Sequence, residues 1–161
     1  MSVRFAIVRA LFNGEITARL LSGARKALQT AHVSQRNVDV YEVPGAFELP
    51  LAALWLAQSD RYDAIVCLGC VIRGETPHFE YVAGEAARGV ADVALATAVP
   101  VIFGVLTTEN VKQARARSAD VARGQVHGEG SARLSNKGYE AAQSAVAMAA
   151  LAQKIRRRKK K

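Results

Sequence analysis

The sequence is poor in cysteine, tryptophan and long apolar runs, and each shortage removes a class of protein. Two cysteines in 161 residues, Cys67 and Cys70, cannot build a disulfide framework. They form a Cys-x-x-Cys, yet they lie on Ala64-Ile65-Val66-Cys67-Leu68-Gly69, a buried-strand pattern on which residues three apart point to opposite faces. No second Cys/His pair stands at ligand spacing, so two inert thiols are expected and no metal site. The most apolar stretch, Val90 to Leu106, is too short to span a membrane and is interrupted by Asp92 and Pro100. The N-terminus runs Met1-Ser2-Val3-Arg4-Phe5 directly into a strand-like segment, with no charged and apolar regions of a signal peptide. A cytoplasmic protein with no membrane partner is expected.

Acidic residues are also scarce, 14 against 22 basic ones, and the formal charge is +8. A polyanion partner would follow if that charge covered a face of the fold. Seven of the 22 basic residues instead fall between Lys154 and Lys161, which leaves the preceding chain near +1. The length suits one domain, residues 1–153, followed by a basic tail, 154–161. Terminal charge runs are more often solvated ends than binding elements, so nucleic-acid contact through the tail is a side hypothesis.

Apolar segments alternate with helical patterns along the chain. Val3 to Val8 reads as a strand, and Ile16, Leu20, Leu21, Ala24 and Leu28 share one face of a helix. Asn37 to Val43 supplies a second strand, and Pro44-Gly45 punctuates it before a helix carrying Leu49, Leu51, Ala52, Leu54, Trp55 and Leu56. Ala64 to Cys70 is the third strand. Pro77 stands where a helical turn begins, ahead of Phe79, Val82, Ala86 and Val90. Val99 to Leu106 is the fourth strand, and Thr107 or Thr108 can cap the helix that follows, with Glu109 in its first turn. An alanine-rich helix from about Lys137 to Lys154 closes the chain. Four such units predict a three-layer α/β/α sandwich on a four-stranded parallel sheet, with the flavodoxin-like order 2-1-3-4. All strand C-termini then meet at one edge, which gathers Phe12-Asn13, Pro44 to Glu48, Cys70 to His78 and Gly104 to Thr108 where α/β folds bind ligands.

These loops offer specific chemistry. Gly74 admits close backbone approach, and Thr76 before Pro77 offers a hydroxyl and an N–H at a helix start, a seat for phosphate. A plain capped turn is the equal alternative. Neither a Walker motif nor a complete Gly-x-Gly-x-x-Gly occurs in strand-turn-helix context, which favours a simple phosphate ester over a nucleotide. His78 falls in the first helical turn beyond this seat, where burial and the positive helix end would both disfavour imidazolium and suit proton exchange. His32 and His127 have no such company and read as surface residues. Phe12, Phe47 and Phe103 can stack on a planar heterocycle or belong to the core. Glu48 can bond a polyol or an amine, or serve as a cap. Arg117 can grip a phosphate in bidentate fashion, or be a solvated helix residue.

Five blocks together resemble the lumazine synthase family over nearly the whole chain. They are Phe12-Asn13, Val43 to Pro50, Gly69 to Val82, Phe103 to Thr108 and Asn136-Lys137-Gly138. The resemblance implies condensation of 5-amino-6-(D-ribitylamino)uracil with 3,4-dihydroxy-2-butanone 4-phosphate, through an imine, loss of phosphate and ring closure. It implies no cofactor and no metal. It assigns Phe12 to stacking on the pyrimidine, and Ala46, Phe47, Glu48, Cys70, Val71 and Ile72 to the ring and ribityl chain. Glu75 and Thr76 would meet the phosphate, and His78 would donate the proton. The family's site lies between subunits of a pentameric ring, so Phe103 and the phosphate-binding Arg117 would come from a neighbour, with Lys137 a further contact.

Three departures stand out from the family pattern. Leu11 replaces a frequently charged residue before Phe12, and the sequence starts almost at the first strand, without the arm that many members lay across a neighbour. The segment Ser118 to Ser135 is longer and carries Gly124, Gly128 and Gly130, making Arg123 and Arg133 alternatives to Arg117. Because the family uses this segment between pentamers, its lengthening is expected to hinder a sixty-subunit shell. Two other readings remain open: a non-catalytic relative that binds flavin-like ribityl ligands or forms shells, and an RNA binder acting through the tail. Intact Thr76 and His78 weigh against the former.

Overall fold

The computed structural model describes residues 3–120 and 135–158, with side chains to Arg156. Its sheet consists of β1 (Phe5–Ala10), β2 (Val38–Val43), β3 (Ala64–Ile72) and β4 (Val101–Thr108), all parallel in the order β2-β1-β3-β4. The expected order 2-1-3-4 holds. Alternation along each strand sends Phe5, Ile7, Val66, Leu68 and Leu106 to one face, and Ala6, Val8, Ile65, Val101 and Val105 to the other. Helices α1 (Gly14–Thr30), α4 (Val111–Arg117) and α5 (Lys137–Arg158) cover the first face. Helices α2 (Leu49–Gln58) and α3 (His78–Thr97) cover the second.

Cys67 and Cys70 fall on opposite faces, as their spacing requires, and both are buried and unpaired. Burial pushes the Cys67 thiol up to about 12 and the Cys70 thiol up to about 11, so both stay protonated and poorly nucleophilic at neutral pH.

The α1–α5 contact is set by small residues. Ala141, Ala142, Ala145 and Ala149 are all buried on α5, and a Cβ at Gly138 would come within 2.0 Å of the Leu20 carbonyl oxygen. Asn136 locks the approach. Its amide donates to the carbonyls of Arg19 and Ala119 at 3.1 and 3.0 Å, and its oxygen accepts from the Tyr139 N–H at 3.1 Å. These bonds explain structurally why Asn136 and Gly138 accompany Lys137 in the late block. The ends of the segment 118–135 are also joined: Ser135 N–H donates to Ala116 and Ala119 N–H donates to Ser135, each at 2.9 Å. The alternative arginines 123 and 133, His127, Gly124, Gly128 and Gly130 lie outside the described residues, as do Lys159 to Lys161 of the tail.

Two helix boundaries differ from expectation. Strand β4 runs on to Thr108, whose hydroxyl is buried and donates to the Asn110 carbonyl at 3.1 Å, so neither Thr107 nor Thr108 caps α4. Asn110 does so, accepting the Gln113 N–H at 2.9 Å. Helix α5 extends to Arg158 rather than ending near Lys154, because lysine and arginine are good helix formers and their charge is favourable in a last turn. Among the described residues, no helix is long and apolar enough to cross a membrane.

Candidate active site

The C-terminal edge of the sheet carries a groove of about 650 Å³. It brings together Phe12, Ala46, Phe47, Glu48, Cys70, Val71, Ile72, Thr76 and His78, nine of the thirteen residues singled out in the sequence. Gly45, Gly74, Phe79, Tyr81 and Val82 complete its walls.

Each wall follows from a local feature. Strand β1 continues past Ala10 as a strap, with Leu11 N–H donating to Val43 at 2.8 Å and Phe12 N–H to Pro44 at 3.0 Å. Asn13 then turns into the left-handed region (φ 55°), which asparagine tolerates, and its amide donates to the Cys70 carbonyl at 2.9 Å. The strap and this turn leave Phe12 with 71% of its surface exposed, a ring available for stacking. A short 3-10 turn, Ala46–Glu48, precedes α2 and buries Ala46 while exposing Phe47 and Glu48.

The third wall is the loop from Arg73 to Pro77. Nothing lies within 4 Å of a Cβ built on Gly74, and Glu75, Thr76 and Pro77 are exposed. Helix α3 starts at His78 with Pro77 as its N-cap and no side-chain cap; the Glu80 N–H donates to the Pro77 carbonyl at 3.1 Å, and the His78 and Phe79 N–H groups precede it at the positive end of the helix beside the loop. That arrangement suits an anion. His78 is exposed on this chain, and the burial expected around it is not supplied by the chain itself. Glu75 does not line the groove.

A second groove of about 750 Å³ lies between the end of β4, α4 and the start of α5. Arg117 and Lys137 line it, with Lys112, Thr107, Thr108 and Glu140. Among the described residues it shares none with the first. Lys137 pairs with Glu140 at 3.7 Å. Phe103 joins neither groove and packs half-buried against the α2/α3 face of the sheet. The charges are therefore divided: among the described residues no lysine or arginine lines the first groove, and Arg117 and Lys137 line the second.

Sequence reasoning missed two participants. Asn13, quoted only as a partner of Phe12, is the residue that ties the strap to β3. Arg73 was read as a loop position, yet its guanidinium bonds Glu80 and, at 2.7 Å, Glu109, and lies 4.4 Å over the Phe79 ring. The Glu80 spacing is visible in sequence; the Glu109 contact depends on β3 and β4 pairing, with Arg73 N–H donating to Thr108 at 2.8 Å.

Comparison with known proteins agrees with this arrangement. Residues 2–153 match the model of the 6,7-dimethyl-8-ribityllumazine synthase family. A protein of Desulfatibacillum aliphaticivorans named 6,7-dimethyl-8-ribityllumazine synthase is 44% identical over 153 residues, covering 95% of this chain and 91% of its own length. With the fold, the groove and both similarities in accord, the chain belongs to the 6,7-dimethyl-8-ribityllumazine synthase family.

Proposed function

We propose that the chain condenses 5-amino-6-(D-ribitylamino)uracil with 3,4-dihydroxy-2-butanone 4-phosphate to give 6,7-dimethyl-8-ribityllumazine and phosphate, a step of riboflavin biosynthesis. The observation that carries this reading is the meeting of an exposed aromatic, a carboxylate, a hydroxyl and an imidazole in one groove: Phe12, Glu48, Thr76 and His78.

Phe12 stacks on the pyrimidine, whose flat face gains from burial against an aromatic ring. Ala46 and Phe47, with Cys70, Val71 and Ile72, hold the ring and the start of the ribityl chain, and Glu48 accepts hydrogen bonds from its hydroxyls. The 5-amino group attacks the ketone, forming the imine and releasing water. Loss of the C3 proton with departure of phosphate from C4 leaves an enol that tautomerises to a C3 carbonyl; the ribitylamino nitrogen attacks that carbonyl, and ring closure releases a second water. Thr76, the backbone of Glu75 and the positive end of α3 receive the phosphate end, and His78 passes protons between nitrogen and oxygen atoms as these steps proceed.

The phosphate is a dianion, and among the described residues no lysine or arginine lines the groove that receives it. A neighbouring copy supplies the missing charge through Arg117, with Phe103 covering the heterocycle and Lys137 a further contact. The active form is accordingly a homo-oligomer, a pentameric ring or an assembly of such rings, working in the cytoplasm. Phe47 (57% exposed), Trp55 (63%) and Leu95 (84%) leave apolar surface that association would cover.

Mixing the purified protein with both substrates and following lumazine fluorescence together with released orthophosphate tests the reading. Stoichiometric appearance of both products is expected. Binding of ribityl compounds without turnover would instead establish a non-catalytic relative.

A further inference from the structure

The loop that carries Glu75 and Thr76 has almost no support of its own. Its residues Gly74 to Pro77 are exposed, and Gly74 has open space around it. Both ends nevertheless lead to Arg73. The backbone N–H of Arg73 donates to Thr108 at 2.8 Å, and its Nε donates to the Glu109 carboxylate at 2.7 Å, fixing the loop's first residue to the end of β4. Its Nη1 donates to Glu80 and its guanidinium covers the Phe79 ring at 4.4 Å, fixing the loop's far end at the first turn of α3. One planar fork thus spans the loop. Only arginine offers donors on separate nitrogens together with a flat cationic face, so lysine cannot reproduce the brace.

Arg73 is also the cation nearest in sequence to the phosphate seat, and two roles compete for it. As a phosphate ligand it would have to leave two carboxylates that already neutralise it. Those carboxylates hold the guanidinium firmly protonated, and Arg73 in turn draws Glu80 below the usual carboxylate range. Arg73 does not line the groove, whereas Gly74, Thr76, His78 and Phe79 do.

We propose that Arg73 is a positioning residue which, by bridging Glu80 and Glu109 over Phe79, holds Thr76 and His78 in place for the phosphorylated substrate. The proposal rests on the function given above and deepens it. It also ties the loop to the β4–α4 corner, because Glu109 immediately precedes Asn110, the cap of the helix that ends in Arg117.

Steady-state kinetics of Arg73→Ala, Arg73→Lys, Glu109→Gln and Arg73→Ala/Glu109→Gln decide between brace and ligand. A brace predicts that Arg73→Ala lowers kcat about tenfold or more, since small displacements of reacting groups are costly. Arg73→Lys should recover only part of that loss. Glu109→Gln should also lower kcat, and the double variant should be no worse than Arg73→Ala, because both changes break one unit. A phosphate ligand predicts the opposite sign for Glu109→Gln: release of Arg73 would lower KM for the phosphorylated substrate, and that result overturns the proposal. Amide hydrogen exchange from Gly74 to Tyr81 provides a readout independent of turnover. Faster exchange in Arg73→Ala than in the parent is expected, and unchanged exchange overturns the brace. Should the parent protein make no lumazine, the proposed function fails while the exchange measurement still decides the role of Arg73.

Discussion

The groove at the ends of β1 and β3 is walled by Phe12, Phe47, Phe79 and Tyr81 and holds His78, while the groove beside β4 is walled by Lys112, Arg117, Lys137 and two threonines. One can stack a heterocycle and move a proton; the other can hold an anion. Neither alone suits a reaction between an aromatic amine and a phosphorylated ketone, and among the described residues of a single chain the two share none. On the proposed function, the division makes the unit of function larger than the unit of folding. The sheet places the two sets of groups in separate grooves, and the proposed ring of copies would bring the halves of different chains together.

The largest effect is expected from damage to the frame of the second groove. Gly138→Ala places a methyl against the Leu20 carbonyl oxygen, where no rotamer relieves the clash. It should cost about 3 kcal/mol or more in urea denaturation, at the upper end for overpacking. A loss below 1 kcal/mol would show that α5 can move away from α1, and the second groove with it.

Next comes His78, the proposed proton donor of the first groove. His78→Ala should lower kcat about 100-fold, the lower range for loss of a general acid or base, with little change in KM for the phosphorylated ketone. A change confined to KM would move His78 from chemistry to binding. Arg117→Ala should show the complementary pattern. Loss of one hydrogen-bonded charge on the phosphate corresponds to about 1.5–3 kcal/mol, so its KM should rise roughly tenfold to a hundredfold. An unchanged KM would transfer the role elsewhere in the second groove or to residues 121–134.

How far the site was legible follows from the same contrast. Strand β3 was readable because a strand buried on both faces must be apolar throughout, and the faces of Cys67 and Cys70 followed from the two-residue period alone. The convergence of Phe12, Glu48 and His78 followed from parallel topology. Local hydrogen bonding was harder to read. Thr108 and Asn110 are both competent caps, and β4 paired with β3 for two residues longer than its apolar run suggested, which left Asn110 with the role. The Asn13–Cys70 and Arg73–Glu109 contacts join residues 57 and 36 positions apart, so no local pattern announces them. Family resemblance supplied Lys137, and it chose the binding roles of Arg117 and Phe103 over the ordinary alternatives that the residues alone left open.

The smallest effect belongs at the opposite end of the sheet, away from both grooves. There Asp39 accepts a hydrogen bond from the Tyr62 hydroxyl at 2.8 Å and another from Arg4 at 2.9 Å, with Arg61 close by. The Tyr62 bond first, then Arg4, draws its carboxyl below the ordinary 3.8. A carboxyl lowered in the folded state contributes stability above its unfolded value, and that contribution disappears as pH falls through the lowered folded value. The stability gap between the parent and Asp39→Asn should therefore be constant at neutral pH and shrink below about pH 4. Activity per folded molecule should not change. A gap independent of pH would show that Asp39 gains nothing from its charge.

Complementation tests the shared site most directly. His78→Ala and Arg117→Ala proteins are each unfolded, mixed and refolded together, and lumazine formation is compared with that of each variant refolded alone. In randomly mixed rings about a quarter of the interfaces combine an intact His78 from one chain with an intact Arg117 from the next. Activity should rise toward about a quarter of the parent's at low ketone concentration, far above either variant. Activity equal to the mean of the two variants would contradict the account and place both residues in sites formed by one chain.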